Sequence, residues 1–157
     1  MKKFLRTTFA FIFLASSVAV LSSCGDSDPV PTDVISDESG IKLDLEWSIA
    51  GGTTNDALTA SDLDLRVYKN GVIVTDSDYA SSFERIELAP GDFADGTYVV
   101  KVYLYNTTTD VNYVVTANGL TVSKPVTFTS NFDSEADKLE VETLTITKSG
   151  SKYTITQ

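Results

Sequence analysis

From Ile41 to the end of the chain, apolar and polar residues alternate with a period of two. Ile41, Leu43, Leu45, Trp47 and Ile49 interleave with Lys42, Asp44, Glu46 and Ser48. Such alternation marks a strand with one buried face and one solvated face. Leu63, Leu65 and Val67 alternate with Asp62, Asp64, Arg66 and Tyr68 in the same way. Asn70-Gly71 follows, and both residues tolerate the positive φ of a tight hairpin turn, so residues 72–75 should return antiparallel. Residues 82–88 form a shorter strand with Ile86 and Leu88 inward, and 89–96 read as a loop by their Pro and Gly content. The strongest strand spans 97–105: Tyr98, Val100, Val102 and Leu104 share one face, and Val99, Lys101, Tyr103 and Tyr105 the other. Further strands are predicted at 111–117, 125–130, 139–147 and 153–156, the last two joined by 148–152.

No stretch after residue 40 holds a helical period, and Thr, Val and Tyr outweigh good helix formers. Short strands at regular spacing, each apolar on one face, imply a two-sheet sandwich or a barrel. The expectation is an all-β, antiparallel two-sheet β-sandwich of eight or nine strands, in a single domain over 41–157.

The first 40 residues read differently. Lys2, Lys3 and Arg6 precede an apolar run at 9–21, which is followed by Leu21-Ser22-Ser23-Cys24. Positive charge, apolar stretch and small-residue cleavage site make a secretory signal over 1–23. The run is 13 residues long, short of the roughly 20 that span a bilayer. Leu21-Ser22-Ser23-Cys24 resembles the lipobox of bacterial lipoproteins. The resemblance implies cleavage before Cys24 and lipidation of that residue, which would tie the chain to a membrane. The alternative is an ordinary signal peptide with an incidental cysteine. Cys24 is the only cysteine in the chain, so no disulfide explains it. Each buried methylene contributes about 0.8 kcal/mol, so two or three acyl chains hold where one is marginal.

In many Gram-negative lipoproteins an Asp after the cysteine retains the protein at the inner membrane. Here Gly25 stands there, which favours the outer membrane, and Asp26 and Asp28 resemble a short surface-export signal. Surface and periplasmic addresses both stay open. Residues 24–40 are rich in Asp, Ser, Pro and Gly and are expected to form a flexible acidic tether.

Removing 1–23 takes three basic residues and no acidic one, leaving 134 residues with a formal charge of −13. That charge excludes nucleic acid as a partner and suits cations or basic partners. The chain has no histidine, which removes Ser-His-Asp and Cys-His mechanisms and the usual catalytic zinc sites. A carboxylate-pair hydrolase remains formally open, but the expectation is a non-enzyme.

Several short motifs resemble the pre-peptidase C-terminal domain, a jelly-roll-like sandwich appended to secreted bacterial proteases. They are Leu43-Asp44-Leu45-Glu46-Trp47, Asp62-Leu63-Asp64-Leu65-Arg66-Val67-Tyr68, Gly96-Thr97-Tyr98 with the strand after it, and Asn112-Tyr113-Val114-Val115. They cover about half of the chain; the usual protease domain is not expected in front of them, and the last 35 or so residues have no obvious counterpart in that family. The resemblance implies a binding or stabilising module, sometimes calcium-dependent, and no catalysis.

Two groups are candidate sites. Asp44 and Glu46 share the outward face of the first strand, and Asp62 and Asp64 that of the second. If those strands pair around residues 50–61, four carboxylates converge, and Asp56 and Asn55 could complete a calcium shell, which takes six to eight oxygens. The alternative is a solvated face with Arg66 and Lys101 as counter-ions. The second group is Tyr68, Tyr103 and Tyr105, whose outward registers suit contact with protein or glycan. The functional expectation is a lipid-anchored cell-envelope binding module. A structural accessory subunit of an envelope assembly is the alternative.

Metabolic labelling with a radioactive fatty acid tests the anchor. The full chain is expected to take up label and Cys24→Ala to lose it; label retained by the variant would contradict lipidation at this residue.

Overall fold

The computed structural model describes residues 32–134, 136 and 138–157. The signal segment, Cys24 and the first part of the expected tether lie outside the described residues. The described residues form ten strands and one short helix in the order β1 Thr32–Ser36, β2 Ile41–Ile49, α1 Thr54–Ala60, β3 Ser61–Lys69, β4 Val72–Ser77, β5 Phe83–Leu88, β6 Gly96–Thr107, β7 Val111–Gly119, β8 Val126–Phe132, β9 Leu139–Ser149 and β10 Lys152–Thr156. Two antiparallel sheets result: β1-β10-β9-β6-β3-β4 and β5-β2-β7-β8. The all-β sandwich read from the alternation is the fold.

The alternation sets the packing. Ile41, Leu43, Leu45 and Trp47 of β2 are buried, as are Leu63, Leu65 and Val67 of β3, so each sheet turns its apolar face to the other. Fully burying such a side chain is worth about 1.5–3 kcal/mol. Polar contacts also tie the layers, among them two from large aromatic side chains. Trp47 Nε1 on β2 donates to the carbonyl of Ser61 on β3 at 3.3 Å, and Tyr153 OH on β10 reaches the carbonyl of Leu88 on β5 at 3.5 Å. The predicted hairpin turn is present: Asn70 has φ 54° and Gly71 φ 78°.

Two elements depart from the sequence reading. The expected tether is not loose throughout, because β1 pairs along its whole length with β10, from Thr32↔Thr156 to Ser36↔Lys152. This is the tenth strand, beyond the eight or nine expected. Ile35 is its one fully buried apolar side chain, too little to stand out beside Pro29, Pro31 and the acidic residues. The second is α1. Thr53 Oγ1 accepts from the Asp56 amide at 3.3 Å, and Asp56 Oδ2 accepts from the Thr53 amide at 2.7 Å. This reciprocal cap starts a seven-residue helix that buries only Ala57, so no helical period was there to read.

After β1 the chain leaves the six-stranded sheet for the four-stranded one, and Asp37 fixes the crossing. Its carboxylate accepts from the amides of Ser39, Thr121 and Val122 at 2.8, 2.6 and 2.8 Å, and from the Thr121 hydroxyl at 2.9 Å. Gly119 is obligatory beside it, since a Cβ there would sit 2.7 Å from Asp37 Oδ2 and 2.3 Å from the Val122 carbonyl. Burial alone would raise the Asp37 carboxyl. The bonds from Thr121, Val122 and Ser39 outweigh it and hold the pKa at about 2.

A carboxyl depressed in the folded state stabilises the fold above its unfolded pKa of about 3.9, and loses that effect as pH falls through about 2. Asp37→Asn is therefore expected to lower the melting midpoint by several degrees at neutral pH. The gap from the parent should close as pH is taken below about 4. A gap that stays constant with pH would contradict the charged-acceptor role.

Candidate functional site

The outer face of the six-stranded sheet carries the densest polar and aromatic chemistry. β3, β6 and β9 lie side by side there. Their registers set Asp64 opposite Tyr103, Arg66 opposite Lys101, and Tyr103 opposite Glu140. Arg66 and Lys101 are like charges directly across a strand pair, which repel unless a counter-charge intervenes. Glu140 supplies it. Lys101 Nζ donates to Glu140 Oε2 at 3.1 Å, Tyr68 OH donates to Glu140 Oε1 at 2.5 Å, and Arg66 NH1 lies 3.5 Å from the same oxygen. Arg66 also donates to Asp64 Oδ2 at 3.0 Å and stacks its guanidinium 3.8 Å above the Tyr103 ring, while Lys101 Nζ sits 4.6 Å above the Tyr68 ring. Cation–π contacts of this kind add to the ion pairs.

The electrostatics follow the same hub. Desolvation would raise the Glu140 carboxyl, but the Tyr68 hydroxyl, Lys101 and Arg66 together hold it below the ordinary range. Desolvation first, and then the bond to Glu140, push the Tyr68 phenol up. Asp64 is raised by desolvation against the pull of Arg66, with Asp62 and Asp78 adding repulsion.

The sequence-predicted residues are distributed otherwise than expected. β2 and β3 do not pair; they belong to different sheets. The expected convergence of four carboxylates is corrected accordingly: Asp44 and Glu46 lie on the outside of the four-stranded sheet, Asp62 and Asp64 on the outside of the other. Asp44 is held by Arg85, its cross-strand partner, through Nε at 2.6 Å and NH2 at 2.9 Å. Asp56, expected as a further calcium ligand, closes the helix cap. Among the described residues, no group of three or more carboxylate, thiol or imidazole side chains is placed to hold a metal ion.

The tyrosines do share one face, but Tyr68 and Tyr103 are half-buried and spent on the internal network. Tyr105 alone stays open, 52 % exposed at the rim. Glu140 was not singled out from the sequence. Its one signal was alternation with Leu139 and Val141. Two hollows of about 510 and 560 Å³ lie elsewhere, along the seam where β8 approaches β9, lined among others by Phe132 and Leu139 and by Phe128 and Leu144. Comparison with family models, with curated proteins and with solved structures gave no match.

Glu140→Gln is expected to cost about 1 kcal/mol at neutral pH, in the range of partly exposed charged hydrogen bonds. Because the folded carboxyl is held below the ordinary range, the loss should fade as pH falls below the unfolded glutamate value of about 4.3 and through the depressed folded one. A pH-independent loss would contradict the hub. Calcium in excess is expected to leave the melting midpoint where it is, since the acidic residues are divided between two faces; a calcium-specific rise of several degrees would contradict that division.

Proposed function

We propose that this protein is a lipid-anchored, non-catalytic binding module of the bacterial cell envelope. It contacts a protein or glycan ligand with the outer face of its six-stranded sheet. The observation that carries the reading is the rigid aromatic face built on Glu140, with Tyr105 exposed at its edge. Side chains locked by neighbours lose little entropy on binding. An exposed tyrosine at the rim offers apolar contact and a hydroxyl together. The Leu21 to Cys24 lipobox resemblance supports the anchor, and Gly25 supports an outer-membrane address. The likeness to pre-peptidase C-terminal domains belongs to the same reading, since it points to attachment without catalysis.

Within the face, roles differ. Tyr68 and Tyr103 shape the surface through the network, and Tyr105 touches the ligand. The test is retention of purified envelope polysaccharides and extracellular-matrix proteins on the immobilised full chain. Tyr105→Ala is expected to weaken retention about tenfold, the size of a modest hot spot, with the melting midpoint unchanged. Retention unaffected by that substitution, or no retention of any panel member, would contradict the proposal.

A further inference from the structure

Among the described residues the six-stranded sheet ends at β4, which pairs with β3 alone. Its sequence, Val72-Ile73-Val74-Thr75-Asp76-Ser77, carries no lysine or proline, and the edge is blunted by one bulge and the charge of Asp76 alone. A bulge lets Val74 stand between Ile73, paired with Tyr68, and Thr75, paired with Val67. The bulge breaks the alternation, and three consecutive apolar side chains are left open: Val72 at 65 %, Ile73 at 43 % and Val74 at 42 %.

The other half of the same edge is acidic. Asp76 and Asp78 are exposed, Asp62 is half-buried nearby, and Asp78 raises the carboxyls of both Asp62 and Asp64. Arg66, the cation opposite Asp76, is committed to Asp64 and Glu140. Among the described residues, no ion pair reaches Asp62, Asp76 or Asp78. Glu84 on β5 lies behind the same edge, bonded to Ser77 of β4. It is 1 % exposed and takes the Ser77 hydroxyl on Oε2, and its Oε1 finds no partner within hydrogen-bond geometry among the described residues. Its carboxyl is raised by desolvation, with Asp64 and Asp62 adding to the shift.

We propose that the free edge of β4 receives an extended strand from a partner protein, with the partner's apolar residues against 72–74 and its lysines or arginines against Asp76 and Asp78. The unpaired edge supplies backbone hydrogen bonds, and the side-chain pattern supplies direction. Every strand pair in both sheets is antiparallel, so the partner strand runs antiparallel too, basic half first. A second copy of the chain fits poorly. Antiparallel self-pairing centred on β4 sets Ile73 against Asp76, and each copy from Cys24 onward brings a formal charge of −13. The inference rests on the binding-module reading but uses a surface separate from Tyr105.

The test uses the full-length protein in detergent and two labelled synthetic peptides. One has alternating Lys and Thr followed by alternating Val and Thr; the other replaces Lys by Glu. The Lys peptide is expected to bind at least about tenfold tighter at low salt, with the gap narrowing as salt screens the charges. Amide hydrogen exchange should slow along 72–77 and not along the β8 edge. Asp76→Lys with Asp78→Lys, both at exposed positions, should reverse the preference. Tyr105→Ala should leave peptide binding unchanged, so failure of the tyrosine face reads separately from failure of the edge. Equal binding of the two peptides, binding of neither, or protection at another edge would overturn the proposal. So would a peptide-independent dimer lost in Ile73→Lys, which would assign the edge to a second copy.

Discussion

Each strand of this domain can bury only one of its faces, and two sheets must meet for that burial to happen at all. The consequence reaches every polar residue of interest. Once Leu43 and Leu45 of β2 point at Leu63 and Leu65 of β3 across the core, the residues between them point in opposite directions, away from each other. Asp44 and Glu46 on β2, and Asp62 and Asp64 at the equivalent positions of β3, therefore end on opposite sides of the molecule. Crossings between the layers then become the points of structural tension. They are held by specific polar bonds: Asp37 at the β1–β2 passage, the Thr53–Asp56 cap before β3, and the Trp47 indole on the Ser61 carbonyl.

On the outside of the six-stranded sheet the same geometry forces a charge problem and its solution. Antiparallel register sets Arg66 against Lys101, and the next strand brings Glu140 within reach of both. The face becomes a closed circuit in which two tyrosine rings serve as platforms for cations. What remains open to a partner lies at the margins: Tyr105 at the rim, and the β4 edge where apolar side chains run into uncompensated carboxylates. A surface satisfied at its centre and unsatisfied at its border suits recognition by contact, and it concentrates specificity in few residues.

The period-two pattern made most of the strands legible, with their inward residues, and Asn70-Gly71 marked its turn. These are local signals, and local physics decides them. Sheet membership is not local. Nothing in the residues of β2 and β3 says that the short helix between them carries the chain across the core, so adjacent strands were expected to pair. β1 escaped notice because pairing with β10, 120 residues later, gives it its structure. Glu84 shows the limit of polarity as a guide: it shares the inward parity of Ile86 and Leu88 and is buried with them, bonded to Ser77. Glu140 was hidden for the same reason as β1, since its partners lie 39 and 72 positions away.

The division of β2 and β3 between the sheets is the central claim, and a distance measurement tests it most directly. Spin labels at Asp44→Cys and Asp64→Cys, in a chain with Cys24 replaced, report the separation of the two outer faces by pulsed electron resonance. Sheets packed about 10 Å apart with both labels pointing outward predict a separation beyond about 20 Å. A separation within about 15 Å, as labels on neighbouring strands roughly 4.8 Å apart would give, would contradict the account.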